Sequence, residues 1–287
     1  MRVGFTSMNT PDDLAPDRLA RELEDRGFDS LWMGEHPQIP VSRTTPYPTG
    51  GDLPEMYKSM MDPFQSLLLA ARATTELLVG TGVALPLEHN VFDLAKTVAT
   101  LDRYTGGRLI LGVGVGWNEE ELAMVNDVRW AARYRALGDC VAALRALWTD
   151  DVSEHHGEFY DFDGVWSFPK PVQQPHPPVY SGSGGRVGTR HAVEWADGWM
   201  PMDVALGSDV PKVVGRFREA VADAGRDPAS VGITLVTFGD PDLATLASYR
   251  DCGVERVVVG AARTGWDDPA TARPYIDTYA AMVPELR

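Results

Sequence analysis

The sequence predicts an α/β fold: a (β/α)8 barrel of the TIM type with loops inserted at its C-terminal mouth, forming one domain over 1–287. Three observations predict it. Short apolar, β-branched segments recur eight times along the chain. Amphipathic helical segments lie between them, and such alternation builds parallel sheets. The segments are apolar almost throughout, as befits strands covered on both faces. An open, doubly wound sheet is the alternative arrangement of the same units.

The strands are expected at 2–8, 30–35, 76–85, 108–116, 177–182, 198–202, 233–239 and 256–262. The first helix, 13–26, ends at Gly27, the left-handed stop that closes many helices. Asp62 and Pro63 open the second as cap and first-turn proline. Asn90 caps the third, which stops at Gly106 and Gly107. Further helices are expected at 130–148, 186–195, 210–224, 242–251 and 269–282. Two connections exceed simple turns. Residues 36–61 are rich in Pro, Thr and Gly, and 149–176 carry aromatics and prolines. Both are expected near the mouth, where barrel enzymes keep their active sites.

A net charge of −15 argues against nucleic acid and anionic membranes, which need clustered Lys and Arg. No apolar run reaches the ~18 residues that span a bilayer, and the N-terminus reads as a strand, so a cytoplasmic protein is expected. Cys140 and Cys252 lie among apolar helix residues and are expected to be buried thiols. The histidines form no metal spacing, and His155 and His156 are expected as a solvated pair in a polar loop.

The stretch RLILGVGVGWNEEE, 108–121, resembles a nucleotide-binding turn but lacks its spacing. Its glycines read G-x-G-x-G, not G-x-G-x-x-G, and Glu119, Glu120 and Glu121 would repel a phosphate at the helix start. The strand ends deliver other groups to the mouth. They are Thr6 and Ser7; Glu35 and His36; Thr81, Gly82 and Val83; Gly114, Gly116 and Trp117; then Ser181, Gly182, Ser183, Gly184, Gly185 and Arg186; then Met202 and Asp203. One good titrating base, many glycines and few charges suit a flat cofactor better than hydrolysis.

Three segments carry a resemblance: GEHP at 34–37, GTGVALPLEHNVFDLAKTVATLDRYTGGRLILGVGVGW at 80–117, and SGSGGRVGTRHAVEWADGW at 181–199. They resemble the luciferase-like monooxygenase family, above all its actinobacterial coenzyme F420-dependent oxidoreductases. The resemblance covers nearly the whole chain and implies a barrel, usually dimeric, binding F420 or FMN at the mouth and transferring hydride to or from a small organic substrate. It implies His36 as the proton-handling residue beside the ring. Glu35 would orient His36 or touch the cofactor. Thr81, Gly82 and Val83 match the family's bulge under the ring, where a cis Gly82-Val83 peptide is expected. Ser7, Gly114 and Trp117 are expected among the cofactor-binding residues, and Ser181 to Arg186 match the phosphate loop, although the family usually has another residue at 186. The three glutamates are expected to cap a surface helix facing away from the phosphate. Arg43, Lys58, Arg186, Arg190 and Arg263 are candidate cations for the anionic tail.

Two rivals stand beside this reading. A glycoside hydrolase on the same fold would use a pair from Glu35, Glu119 and Asp203 across the mouth at ~5–9.5 Å. A flavin-binding carrier would leave His36 idle.

Overall fold

The computed structural model describes residues 1–48, 50–207, 209–261 and 269–287. Arg263 lies outside the described residues. Eight parallel strands close into a barrel in the order β1 (Arg2–Ser7), β10 (Arg256–Ala261), β9 (Gly232–Phe238), β8 (Gly198–Trp199), β7 (Val179–Ser181), β4 (Leu109–Val113), β3 (Leu78–Thr81) and β2 (Ser30–Met33). This is the expected (β/α)8 architecture. The helices that return the chain include α1 (Pro16–Asp25), α2 (Pro63–Arg72), α3 (Val91–Thr105), α4 (Glu119–Val125) and α5 (Arg133–Thr149). They continue with α6 (Gly185–Trp195), α7 (Asp203–Leu206), α8 (Val210–Asp223), α9 (Leu243–Asp251), α10 (Pro269–Ala280) and α11 (Val283–Leu286).

The caps read from the sequence are present. The Asp62 side chain accepts from the Gln65 amide, and the Asn90 side chain from the Phe92 amide. Gly106 closes α3 at φ 66°.

Strand periodicity sorts the core into two layers. Leu31, Met33, Val79, Leu109 and Leu111 join the large cluster beneath the helices. Trp32, Ile110, Met200 and Val258 form a separate cluster inside the barrel. Trp32 is fully buried there, and its indole donates to Ser30 Oγ at 2.9 Å. Two glycines make room for it. A Cβ at Gly80 would lie 2.5 Å from the Trp32 ring, and one at Gly4 3.0 Å from Trp32 Nε1.

The connection 149–176 departs from expectation. It forms an antiparallel hairpin, β5 (Ser153–His156) and β6 (Asp161–Val165), with β5 packed against α5 and Phe162 of β6 reaching Phe92 of α3. Asp139 of α5 holds its turn by accepting from the Phe159 and Tyr160 amides, and Phe162 packs edge-on against Phe92. His155 therefore turns inward to Asp139 Oδ1 at 2.7 Å, while His156 stays exposed beside Asp161. The expectation of a solvated pair is corrected for His155. Cys140 is buried as expected, whereas Cys252 is half-buried.

Candidate active site

The mouth is built around the end of β3. The Gly82-Val83 peptide is cis, as expected. The bulge leaves the β3 ladder, which resumes at the bridge between Ala84 and Val113. Thr81 Oγ1 donates to the Gly112 carbonyl at 2.7 Å and ties the bulge to β4. The glycines of β4 and β7 then find their reason. A Cβ at Gly112 would lie 2.1 Å from the Thr81 carbonyl oxygen, so ordinary strand packing demands that glycine. A Cβ at Gly114 would lie 2.7 Å from Val83 Cγ2, and one at Gly182 2.3 Å from Val83 Cγ1. Val83 thus sits between two glycines, bringing three of the expected residues together.

His36 lies three residues past the end of β2 and one beyond Glu35, whose amide donates to the Val83 carbonyl at 3.1 Å. The His36 side chain is only 9 % exposed. Its Nε2 lies 3.2 Å from Trp117 Nε1. An indole N–H can only donate, so Nε2 accepts. The ring proton then sits on Nδ1 and is donated to Glu121, whose two oxygens both lie at 2.9 Å.

This arrangement corrects the reading of the acidic run. Glu119 is exposed. Glu120 accepts from the Thr44 and Thr45 amides of the 36–61 loop and from the Thr44 hydroxyl. The Thr45 side chain and the Thr44 donors push its carboxyl down to about 2. Glu121 does not cap a surface: it is 0 % exposed and faces His36.

Glu35 does not orient His36. Its Oε2 accepts from the Leu85 amide at 2.7 Å, and its Oε1 meets His89 Nε2 at 2.9 Å. Burial opposes charge on His89, but the Glu35 hydrogen bond and charge, with Asp62 and Asp93 beyond, raise it above an ordinary histidine. Glu88 joins this group with no counter-ion among the described residues. Burial first, then the charges of Glu121 and Glu35, push its carboxyl up to about 8. Its Oε2 is buried with no hydrogen-bond partner among the described residues.

The 36–61 loop closes over this centre. Tyr57 packs edge-on against His36 at 5.3 Å between ring centroids, and Tyr47 against Trp117 at 5.7 Å. Burial raises the Tyr57 hydroxyl well above its usual range. The loop is a cover for His36, as its position suggested.

The remaining expected residues split in two. Ser7 is buried, and its hydroxyl accepts from the Asn9 amide at 2.9 Å. Ser181 Oγ donates to Ser183 Oγ at 3.1 Å, and Ser183 folds against Gly188 of α6. Gly184 caps α6, while Gly185 and Arg186 stand exposed in its first turn. Lys58 pairs with Glu55, and Arg43 donates to the Pro40 carbonyl. Among the described residues, Arg186 has no acidic partner. Asp203, one carboxylate of the hydrolase alternative, accepts from the Phe238 amide at 2.9 Å. Burial raises its carboxyl, opposed by the Phe238 and Val204 amides. Among the described residues no group of three or more His, Cys, Asp or Glu could hold a metal ion. No helix there is long and apolar enough to cross a membrane.

Glu121, Glu88, His89, Tyr47 and Tyr57 were not among the sequence-derived site residues. One signal could have singled out Glu121 among the three glutamates: Trp117 and Glu121 stand four apart, where a helical turn would bring both to one side.

Comparison with known proteins places the chain in a family. A family model described as luciferase-like monooxygenase matches residues 10–275. An uncharacterized protein of Mycobacterium tuberculosis is 37 % identical over 292 residues, covering 99 % of each chain. The FMNH(2)-dependent dimethylsulfone monooxygenase of Pseudomonas putida is 34 % identical over 171 residues, covering 59 % of this chain and 46 % of that one. Among solved structures, an F420-dependent secondary alcohol dehydrogenase in complex with an F420-acetone adduct superposes with a TM-score of 0.74. It is 18 % identical and covers 100 % of this chain and 99 % of that one.

Proposed function

The chain belongs to the luciferase-like monooxygenase family, and from that premise we propose that it is an oxidoreductase moving hydride between coenzyme F420 at the barrel mouth and a small organic substrate. The observation that carries this reading is the joining of two features. The Val83 bulge offers an apolar platform between Gly114 and Gly182, and the Glu35 amide fastens the start of the His36 loop to that bulge.

The residues fit such a group. Val83, with Gly82 beside it, would face the ring. The exposed first turn of α6, with Gly184 and Gly185 and the unpaired Arg186, would hold the phosphate. Ser7, Thr81, Ser181 and Ser183 would shape the rim through their internal hydrogen bonds. The ring, when bound, supplies the carbon that takes or gives hydride.

His36 handles the accompanying proton. Its Nδ1 is committed to Glu121, so exchange occurs at Nε2. When Nε2 takes a substrate proton, the Glu121 carboxylate faces the resulting cation and stabilises it, as a carboxylate does for a histidine base elsewhere. Trp117 must first yield its hydrogen bond to Nε2. Tyr57 and Trp117, with Tyr47 behind them, pack around the His36 imidazole and would keep water from it.

FMN is the second reading. The modest supply of unpaired cations favours its shorter anionic tail, and one relative is named for FMNH(2). Titrating apoprotein with F420 and with FMN, followed by fluorescence, separates the two. Tighter F420 binding is expected. Micromolar FMN binding without F420 binding would overturn the F420 reading, and a cofactor-loaded protein inert toward every candidate substrate would favour a carrier.

A further inference from the structure

A groove of about 630 Å³ runs between α6 and α8, beginning at Gly185 and Arg186 and roofed by α7. Arg190 of α6 and Arg216 of α8 line it one turn further down. Val193 and Val213 line it with apolar surface, as does Leu206 of α7, and Asp223 closes its foot. Helix spacing explains the shared face: 186 and 190 stand four apart on α6, and 213 and 216 three apart on α8.

Three arginines on one groove are unexpected in a chain of net charge −15. Arg256, Arg145 and Arg273 are each held by an acidic side chain close at hand. Arg186 and Arg216 have no acidic partner among the described residues. Arg190 reaches only Glu194, at 3.9 Å and largely in solvent. Such surface pairs contribute little. The groove is therefore a local positive field on a negative molecule, and it is continuous with the first turn of α6.

We infer that this groove seats the carboxylate-bearing tail of F420, with Arg190 and Arg216 as its tail-binding residues. The inference rests on the F420 reading above. The phosphate on the α6 turn and the tail carboxylates beyond it would then meet the arginines in series. Asp223 would repel a further carboxylate and so limit the length engaged. FMN, which ends at its phosphate, gains nothing from the groove. The cofactor preference of the chain would thus lie outside the barrel, away from the ring.

The test is a fluorescence titration of the apoprotein with F420 carrying several tail glutamates, with the same cofactor lacking them, and with FMN. The wild type is expected to bind the glutamate-bearing form at least roughly tenfold more tightly than the short form, the scale of one charge-assisted hydrogen bond. Arg190→Ser combined with Arg216→Ser should abolish that difference while the short form binds as before. Both side chains are exposed, so the variant should fold. Equal wild-type affinity for the long and short forms, or a tail dependence that survives in the double variant, would overturn the groove assignment and leave the F420 reading intact. If FMN binds and neither deazaflavin does, the F420 reading itself fails, and the groove loses its occupant with it.

Discussion

Glu88 is the most exacting point at which to test the electrostatics of the site. Its carboxyl is raised from about 4.5 to about 8 by burial, Glu121 and Glu35, and its Oε2 has no partner among the described residues. The folded chain therefore keeps a proton that the unfolded chain releases above about 4.5. Stability must fall as pH rises from there, and the loss is complete once the folded carboxyl ionises near 8. The difference between about 4.5 and about 8 corresponds to a ceiling of about 5 kcal/mol. Relaxation and water entry lower this, and about half is expected. Glu88→Gln keeps the shape and removes the titration. Chemical denaturation of both proteins from pH 5 to pH 9 is the assay. The variant should be level with the wild type at the acid end and about 2 kcal/mol more stable at the alkaline end, or on the order of 5 °C in melting midpoint. Parallel curves for the two proteins would refute the reasoning and place Glu88 in water.

Other consequences can be checked in the same way. His36→Ala should lower turnover by on the order of 10²-fold with cofactor affinity nearly intact, measured by steady-state kinetics beside a binding titration. Glu121→Gln keeps the hydrogen bond to Nδ1 but removes the charge that stabilises the protonated ring. It should lower kcat and shift the pH profile of turnover, and an unchanged profile would reduce Glu121 to a packing role. Gly112→Ala should cost several kcal/mol or prevent soluble expression, because its methyl would lie 2.1 Å from a backbone oxygen with nowhere to go. Arg186→Ala should weaken cofactor binding by ~1–3 kcal/mol, and native affinity would move the phosphate elsewhere.

The barrel was legible because its signal is local. Each strand is a short apolar run, and Asp62, Asn90 and Gly106 mark helix ends without help from distant residues. Boundaries were less so. The strand expected over 76–85 stops at Thr81, since the cis bulge takes the next residues out of the ladder. The helix expected from 130 begins at Arg133, after a 3-10 turn over Trp130–Ala132. His36 was legible from its strand end. Its partner was not: Glu121 lies 85 residues away, and as one of three glutamates it looked like a helix dipole feature. The hairpin was hidden by its polar composition, because β5 and β6 pack on helices rather than on the barrel.

Val83 and its two flanking glycines also bear on how this site can change over evolutionary time. The side chain at 83 and the hydrogens at 114 and 182 share a single volume, so these three positions are coupled in any viable sequence. A methyl gained at 114 or 182 can be accommodated when 83 loses its branches, and not otherwise. Relatives that carry alanine or serine at either glycine should carry a smaller residue at 83. The drift of the platform is then confined to paired steps, which keeps the mouth's floor nearly constant while the loops around it diverge.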